Sequence, residues 1–227
     1  MSYKPSADWN PIQARLREMI REPDCFQDAL NLCLELHAIV HRGTVTGASE
    51  ATLADLAVNG LTDGAFRRMP TVKDVTIAWN LWHIARIEDL TMNLLVADCA
   101  QVLNEEWHKK LLTKVRDTGN AMTDDEILSF SGEVDQEALL NYRDAVGLRS
   151  REILEGLTPK DITRKFTASQ KQRIMEEGGL TEHPDSSWLL DFWGRKDVAG
   201  ILLMPLTRHQ HGHLNDCLKL RKKCKNP

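Results

Sequence analysis

The segment Asp74–Ala100, DVTIAWNLWHIARIEDLTMNLLVADCA, gives the clearest helical signal in the chain and contains no glycine or proline. Its apolar positions recur at spacings of three and four residues, as expected for one face of a helix. Either Thr71 or Asp74 is suited to cap its start. The periodicity therefore predicts a long helix whose core-facing stripe is Thr76, Trp79, His83, Ile87, Leu90 and Leu94.

Three other long segments have the same periodicity, which predicts long helices along the whole chain. They are Phe26–His41, Asp135–Gly156 and Arg195–Lys223, the last interrupted by Pro205 and Gly212. Runs with the alternation typical of strands are nearly absent. We therefore predict an all-α fold with four long helices, most simply a four-helix bundle.

Shorter helical signals lie between the long segments. One helix is predicted from Ser49 to about Gly60, and a second from Thr158 to about Glu177 with Pro159 in its first turn. Asn104–Gly119 is predicted to be partly helical. Thr123 and Glu126 have the spacing of a capping box. Gly43 is a candidate C-cap for the Phe26–His41 helix.

Composition limits the class of protein. The 227 residues are 42% hydrophobic and 27% charged, with a formal net charge of −4, which is ordinary for a globular protein, and the length suits one large domain or two small ones. This charge favours neither nucleic acid nor an anionic membrane.

The sequence also bears on the location of the protein. The apolar runs are too short to cross a bilayer, and the N-terminus lacks the apolar core of a signal peptide. The five cysteines show no CxxC spacing, which predicts reduced thiols in a cytoplasmic protein.

The stretch Thr207–Asp216, TRHQHGHLND, contains three histidines within five residues. Helical spacing separates them into two groups, because each residue advances about 100° around the axis. His211 is predicted to point towards solvent or an edge. His209 and His213 are predicted to face the core, in the stripe Leu202, Leu206, His209, His213, Cys217 and Leu220.

A pair of imidazoles one turn apart can hold a transition metal, but a third ligand is needed. His83 is the candidate, because its own stripe also faces the core. Burying three imidazoles without partners is costly, and a shared metal satisfies all three. A three-histidine site with an open position supports metal-assisted chemistry. The alternative is that these histidines are structural and satisfied by hydrogen bonds.

Other candidates remain beside this site. His37 and His41 form a second HxxxH pair, which could line the same cavity or build a site with His83. Asp216 lies on nearly the same face as His209, either as a partner of a ligand or as a surface acid. The chain has no HExxH, phosphate-binding loop, GxGxxG or GxSxG motif. Its one Glu-x-x-His spacing, Glu105 to His108, does not make a di-iron bundle.

Two motifs resemble the DinB/YfiT-like proteins of the DinB superfamily. TIAWNLWHIARIEDLTMNLL is similar to that family's second helix, in which one histidine stands in a WxxxHIAxxED context. RHQHGHLND is similar to its last-helix HxxxH. The resemblance covers roughly residues 27–222. It implies a single domain spanning residues 1–227. This domain is expected to be a four-helix bundle of up-down-down-up order with extra short helices and a core at about residues 24–222.

The resemblance also implies a function and a site. It implies a divalent transition metal, typically zinc or nickel, held by His83, His209 and His213. Some relatives are transferases or isomerases that use a low-molecular-weight thiol, and a homodimer is implied as well. The chain departs from the family in a long insertion at about residues 158–194, and in Leu214-Asn215 where many relatives have Arg-Gly. Both changes are expected to reshape the mouth of the pocket.

Two functions follow from the sequence. The first is a metal-dependent enzyme acting on a small molecule, with thiol transfer as the specific hypothesis. Its pocket walls are predicted to include Trp79, Trp82, Trp188 and Trp193. The second is a non-catalytic, stress-related helical protein that binds a metal or another ligand, or a dimeric scaffold whose histidines are structural.

Overall fold

A computed structural model describes residues 3–225, with the side chain of Lys225 left out, and these residues form a predominantly helical protein. The described part contains no strand beyond one isolated bridge between Lys165 and Asp197. The predicted all-α class is therefore confirmed. In chain order, the α-helices are α1 (Pro5–Asp8), α2 (Asn10–Met19), α3 (Phe26–Val40), α4 (Gly43–Thr46), α5 (Leu53–Val58), α6 (Asp63–Arg67), α7 (Ile77–Asp89), α8 (Glu105–Leu111), α9 (Asp124–Glu133), α10 (Gln136–Glu155), α11 (Ala168–Glu176), α12 (Pro184–Gly194), α13 (Val198–Leu203) and α14 (His209–Lys225).

Three short segments have other helical forms. Pro23–Cys25 is a 3₁₀ turn before α3, and two π-helical segments extend the long helices. The first, Leu90–Ala97, continues α7 and ends at Asp98, whose φ of 52° is left-handed. The second, Met204–Arg208, joins α13 to α14 immediately before His209. π-helical turns widen a helix locally and occur often at functional sites.

The four longest helical units pack side by side. α3 contacts α10, α10 contacts α7, α7 contacts α14, and α14 contacts α3. This closed ring of neighbours buries the apolar stripes of all four in one core. The arrangement is compatible with the four-helix bundle, and its up-down-down-up order stays a prediction of the resemblance.

The central helix α7 begins later than its sequence predicts. Thr76, rather than Thr71 or Asp74, caps it, because the Thr76 hydroxyl accepts a hydrogen bond from the Trp79 backbone N–H. Thr71 and Asp74 instead bond each other in the preceding turn. From Ile77 to Val96, Trp79 is the only residue that is not buried. Of the shorter signals, the Thr123–Glu126 capping box of α9 is confirmed.

Three other local predictions were wrong. Gly43 does not end α3, since α3 ends at Val40 and Gly43 begins α4. Thr158-Pro159 does not open a helix. The chain there makes turns closed by Asp161, and α11 begins only after the Thr167–Gln170 capping box. The last long helix starts at Val198, where Asp197 caps it.

No helix among residues 3–225 is both long enough and apolar enough to cross a membrane.

Candidate metal centre

Three histidines from two helices meet beside the core. His83 comes from the middle of α7, while His209 and His213 occupy the first two turns of α14. One ring nitrogen from each lies within 4.8 Å of the others. The Nε2 atoms of His83 and His209 are 3.2 Å apart. Tetrahedral zinc with bonds of about 2.0–2.1 Å places its ligand nitrogens about 3.3 Å apart, so this spacing suits one ion.

Hydrogen bonds on the opposite ring nitrogens fix two of these imidazoles. His83 Nδ1 lies 2.9 Å from the Thr118 carbonyl oxygen, and His213 Nδ1 lies 2.7 Å from Asn80 Oδ1. Asn80 is itself held, because its amide donates to the Thr76 carbonyl. Both Nδ1 atoms must therefore carry the proton, which leaves both Nε2 lone pairs free for a metal. The buried Nδ1 of His209 has no partner among the described residues.

The loop Arg116–Gly119 is held against α7 by four consecutive carbonyl groups. Each accepts a hydrogen bond from a side chain of α7, and His83 makes one of the four. The donors and acceptors are Arg86 Nε to Arg116 O at 2.8 Å, Trp82 Nε1 to Asp117 O at 2.9 Å, His83 Nδ1 to Thr118 O at 2.9 Å and Trp79 Nε1 to Gly119 O at 3.0 Å. Trp79 also stacks on the His83 ring, with centroids 4.6 Å apart. The His83 ring therefore has a rigid support on two sides.

The electrostatic environment keeps the three imidazoles neutral. Burial lowers the pKa of His83 to about 3, and the nearby His213 acts in the same direction. Burial likewise lowers the pKa of His209 well below its ordinary value and lowers that of His213. Neutral imidazole is the form that binds a metal. All three rings are therefore ready to act as ligands at neutral pH.

The pKa of His83 predicts how the metal-free protein responds to acid. Its pKa is about 6.5 when unfolded and about 3 when folded, so between these values the unfolded state binds more protons. The free energy of unfolding should therefore fall as the pH drops from about 6.5 towards 3. By pH 5 the loss from His83 alone is about 2 kcal/mol.

Urea unfolding with a chelator at pH 7.5, 6 and 5 measures this loss. His83→Gln should show a shallower dependence on pH than the wild type. Equal slopes in the two proteins would contradict the expectation.

A second histidine cluster lies on the other side of α7 and does not share the cavity. His37 Nε2 is 3.1 Å from Glu88 Oε1, His41 Nε2 is 2.9 Å from Glu88 Oε2, and all three side chains are fully buried. Gln210 donates to Glu88 and accepts from the buried Arg143. Burial would raise the pKa of Glu88, but His41 and the hydrogen bonds from both histidines hold it below its ordinary value.

The hydrogen-bonded atoms distinguish the two clusters. His37 and His41 turn Nε2 towards Glu88, while both of their buried Nδ1 atoms lack partners among the described residues. A metal between them would force both protons onto these Nδ1 atoms and leave two buried donors unsatisfied, whereas a metal at His83, His209 and His213 would leave one, the Nδ1 of His209, among the described residues. The His37–His41–Glu88 cluster therefore fits a hydrogen-bonded core network better than a metal site. Gly147 belongs to it, because a Cβ there would overlap the His41 ring.

A cavity of about 330 Å³ opens beside the three candidate ligands. His83, His209 and His213 lie in its wall, so a metal there would face a space that a small molecule can enter. Most of the remaining wall is apolar: Trp79, Ile87, Asn120, Trp188, Leu189, Phe192, Trp193, Met204 and Pro205. Of the four tryptophans predicted to form the wall, Trp82 does not line the cavity.

The π-helical segment before His209 alters the predicted stripe. Leu202, Leu206, Cys217 and Leu220 are buried as predicted, but between them the buried positions are Gln210 and Leu214 rather than His209 and His213. A π turn contains more residues than an α turn, so the core-facing side moves on by about one residue in the first turns of α14. His209 and His213 consequently lie at the edge of the core, partly exposed to the cavity.

The two neighbouring polar residues in the histidine run have other surroundings. His211 does not line the cavity and, of the two predicted alternatives of solvent or an edge, lies at an edge: it is half-buried and stacks on Trp9, with ring centroids 4.1 Å apart. Burial lowers its pKa to about 4. Asp216 pairs with Lys219 on the exposed side of α14 and is a surface acid.

Sequence reasoning missed three parts of the site. Asn80 stands three residues before His83 on the same helix, so helical spacing was a usable signal for it. The Thr118 carbonyl and the Asn120 side chain lie in an irregular loop, where no periodic pattern reports orientation.

The match of the chain to a known protein family includes the three candidate metal ligands. The sequence model of the DinB superfamily matches residues 48–215, a range that includes His83, His209 and His213. No curated protein matches the chain. The matched range runs from just before α5 into α14 and covers well over half of the sequence. The chain therefore belongs to the DinB superfamily.

Proposed function

We propose that this protein is a metal-dependent enzyme that uses a divalent ion held by His83, His209 and His213 to transfer a thiol. The observation that carries the proposal is the pair of fixed tautomers. The Thr118 carbonyl and the Asn80 Oδ1 accept hydrogen bonds from the Nδ1–H groups of His83 and His213, so that both Nε2 lone pairs are free to bind a metal at the cavity wall. Zinc and nickel are among the metals that suit three imidazoles.

The site supports activation of a thiol better than hydrolysis. A divalent metal would lower the pKa of a thiol or a water molecule in the cavity and so supply a nucleophile near neutral pH. Among the described residues lining the cavity there is no carboxylate, lysine or tyrosine to act as a general base. A thiol has a pKa near 8.5, so it needs far less help than water to ionise.

The reaction expected here is an S-alkylation. The sulfur forms a bond to an electrophilic carbon of the second substrate, and the leaving group departs with its electron pair. The proton lost by the thiol passes to solvent or to the leaving group. The side chains hold their positions: Trp79 and the Arg116–Gly119 carbonyls support His83, Asn80 supports His213, and the aromatic wall excludes water.

The lack of a protein base also favours the alternative function. A cavity with a metal and no acid or base could bind a ligand without transforming it, as expected of a non-catalytic metal- or ligand-binding protein. Accelerated S-alkylation by the metal-loaded protein, relative to the metal-free protein, distinguishes the two functions. The homodimer and the cytoplasmic location stay predictions.

Metal analysis of protein purified without a histidine tag tests the proposal. We expect about one zinc or nickel ion per chain, and a rise in Tm when metal is returned to chelated protein. Absence of stoichiometric metal, together with an unchanged Tm on adding zinc or nickel, would contradict a metalloenzyme.

A further inference from the structure

The 158–194 segment supplies one side of the cavity. Its helix α12 places Trp188, Leu189, Phe192 and Trp193 in the cavity wall. Trp193 is buried, whereas Trp188 is 48% exposed and stands where the cavity meets solvent. The segment that the sequence predicts to be an insertion therefore provides much of the apolar surface that faces the histidines.

Charge is missing from this wall. Apart from the three histidines, the lining residues within the described chain include no Asp, Glu, Lys or Arg. The indole N–H groups of Trp79 and Trp188 are already bonded to the carbonyls of Gly119 and Asp185. Asn120 accepts from the Thr118 hydroxyl through Oδ1, so its amide N–H₂ and the indole N–H of Trp193 are the donors left to meet a ligand.

The size of the cavity sets a second limit. At about 330 Å³ it lies at the small end of ligand pockets, which run from about 300 to 1,000 Å³. A carboxylate or ammonium group brought into such a wall would lose its hydration without gaining a partner, which is costly. A large thiol carrying several charges therefore suits the cavity poorly.

We propose that the cavity takes an uncharged, mainly apolar or aromatic small molecule with one head group directed at the three histidines. Its body packs between α12 and Trp79, and a single oxygen or nitrogen accepts a hydrogen bond from Asn120. The inference rests on the proposed function for the role of the head group. The selectivity of the wall is a property of the chain itself and does not require the metal.

A matched pair of ligands tests the wall in the metal-free protein. The uncharged 4-nitrobenzyl alcohol and the anionic 4-nitrobenzoate have similar sizes, and both quench tryptophan fluorescence. With chelator present, we expect the alcohol to bind at least about tenfold more tightly than the carboxylate. Equal binding, or tighter binding of the carboxylate, would overturn the proposal.

Variants locate the binding. Trp188→Ala should weaken binding of the alcohol about tenfold, because it removes one aromatic wall. Leu148→Ala is the matched control, since Leu148 is 49% exposed on α10 and lines none of the cavity. Equal affinity in Trp188→Ala and wild type would place the ligand elsewhere and overturn the proposal. Trp188→Leu, which keeps an apolar side chain, replaces Trp188→Ala if the latter does not fold.

A cobalt-loaded sample tests whether a thiol that suits the apolar wall also reaches the metal held by the three histidines. Benzyl mercaptan should perturb the cobalt(II) spectrum at lower concentration than 2-mercaptoethanol or glutathione, because it has an uncharged aromatic body. If glutathione perturbed the cobalt(II) spectrum at the lowest concentration of the three thiols, the inference would be contradicted. Failure of the protein to bind cobalt would contradict the proposed function alone. The binding of the alcohol and the carboxylate to the metal-free protein would still show whether the cavity prefers an uncharged ligand.

Discussion

His83→Ala should abolish stoichiometric metal binding. His83 is the one candidate ligand from α7, and its Nε2 lies 3.2 Å from that of His209. Without it two imidazoles remain on α14, too few for a stable site. We expect the loss in affinity to exceed the roughly 10–100-fold cost of losing an outer partner of a ligand. Elemental analysis and zinc competition with a chromophoric chelator measure the loss, and circular dichroism checks the fold.

Two control variants rank the contributions to metal binding. Asn80→Ala removes the partner of His213 and should weaken metal binding by roughly 10–100-fold without abolishing it. His211→Ala removes a histidine of the same run that stacks on Trp9, and should leave the metal content unchanged. Metal retained in His83→Ala and lost in His41→Ala would move the site to the His37–His41–Glu88 cluster.

Sequence periodicity predicted the class of fold because four long segments carry apolar stripes. It did not predict the π-helical segments Leu90–Ala97 and Met204–Arg208, because a π turn keeps the same apolar composition and changes only the number of residues per turn. It also misplaced the start of α11. There Pro159 suits a helix, but Asp161 closes a turn by accepting from the backbone and side chain of Thr158.

The candidate site was predictable in part for the same reason. His83 and the His209–His213 pair have helical spacing, so sequence alone could bring them to one side of two helices. The orientation of each ring depends on Thr118 and Asn80, and the cavity depends on α12; these contacts join distant parts of the chain. The stacking of His211 on Trp9 was not predicted, because Trp9 lies about 200 residues earlier in the sequence.

The buried Asp89 is the second position where a large effect is expected. Its carboxylate accepts hydrogen bonds from Arg86, Tyr142 and Asn93, and from the backbone N–H groups of Val102 and Leu103. Arg86 and Asp89 have no exposed side-chain surface. Asp89→Ala leaves the Arg86 charge buried and unpaired, so we expect the free energy of unfolding to fall by about 3–5 kcal/mol. Urea unfolding monitored by circular dichroism measures it.

The chain offers a matched control for this variant. Arg149 and Glu152 also form an Arg–carboxylate pair three residues apart on a helix, but their side chains are 42% and 65% exposed. Glu152→Ala should therefore cost less than about 1 kcal/mol. If Asp89→Ala lowered the free energy of unfolding no more than Glu152→Ala, burial would not strengthen the contribution of the Arg86–Asp89 pair to stability.

The double variant Arg86→Met/Asp89→Leu separates the unpaired charge from the lost packing. Removing both charges should cost less than removing Asp89 alone, because no buried ion is left without a partner. This variant also has a consequence for the candidate metal centre. Arg86 donates to the Arg116 carbonyl, at the start of the loop whose Thr118 carbonyl orients His83. If that support fixes the His83 ring, the double variant should regain stability over Asp89→Ala yet bind zinc more weakly than wild type.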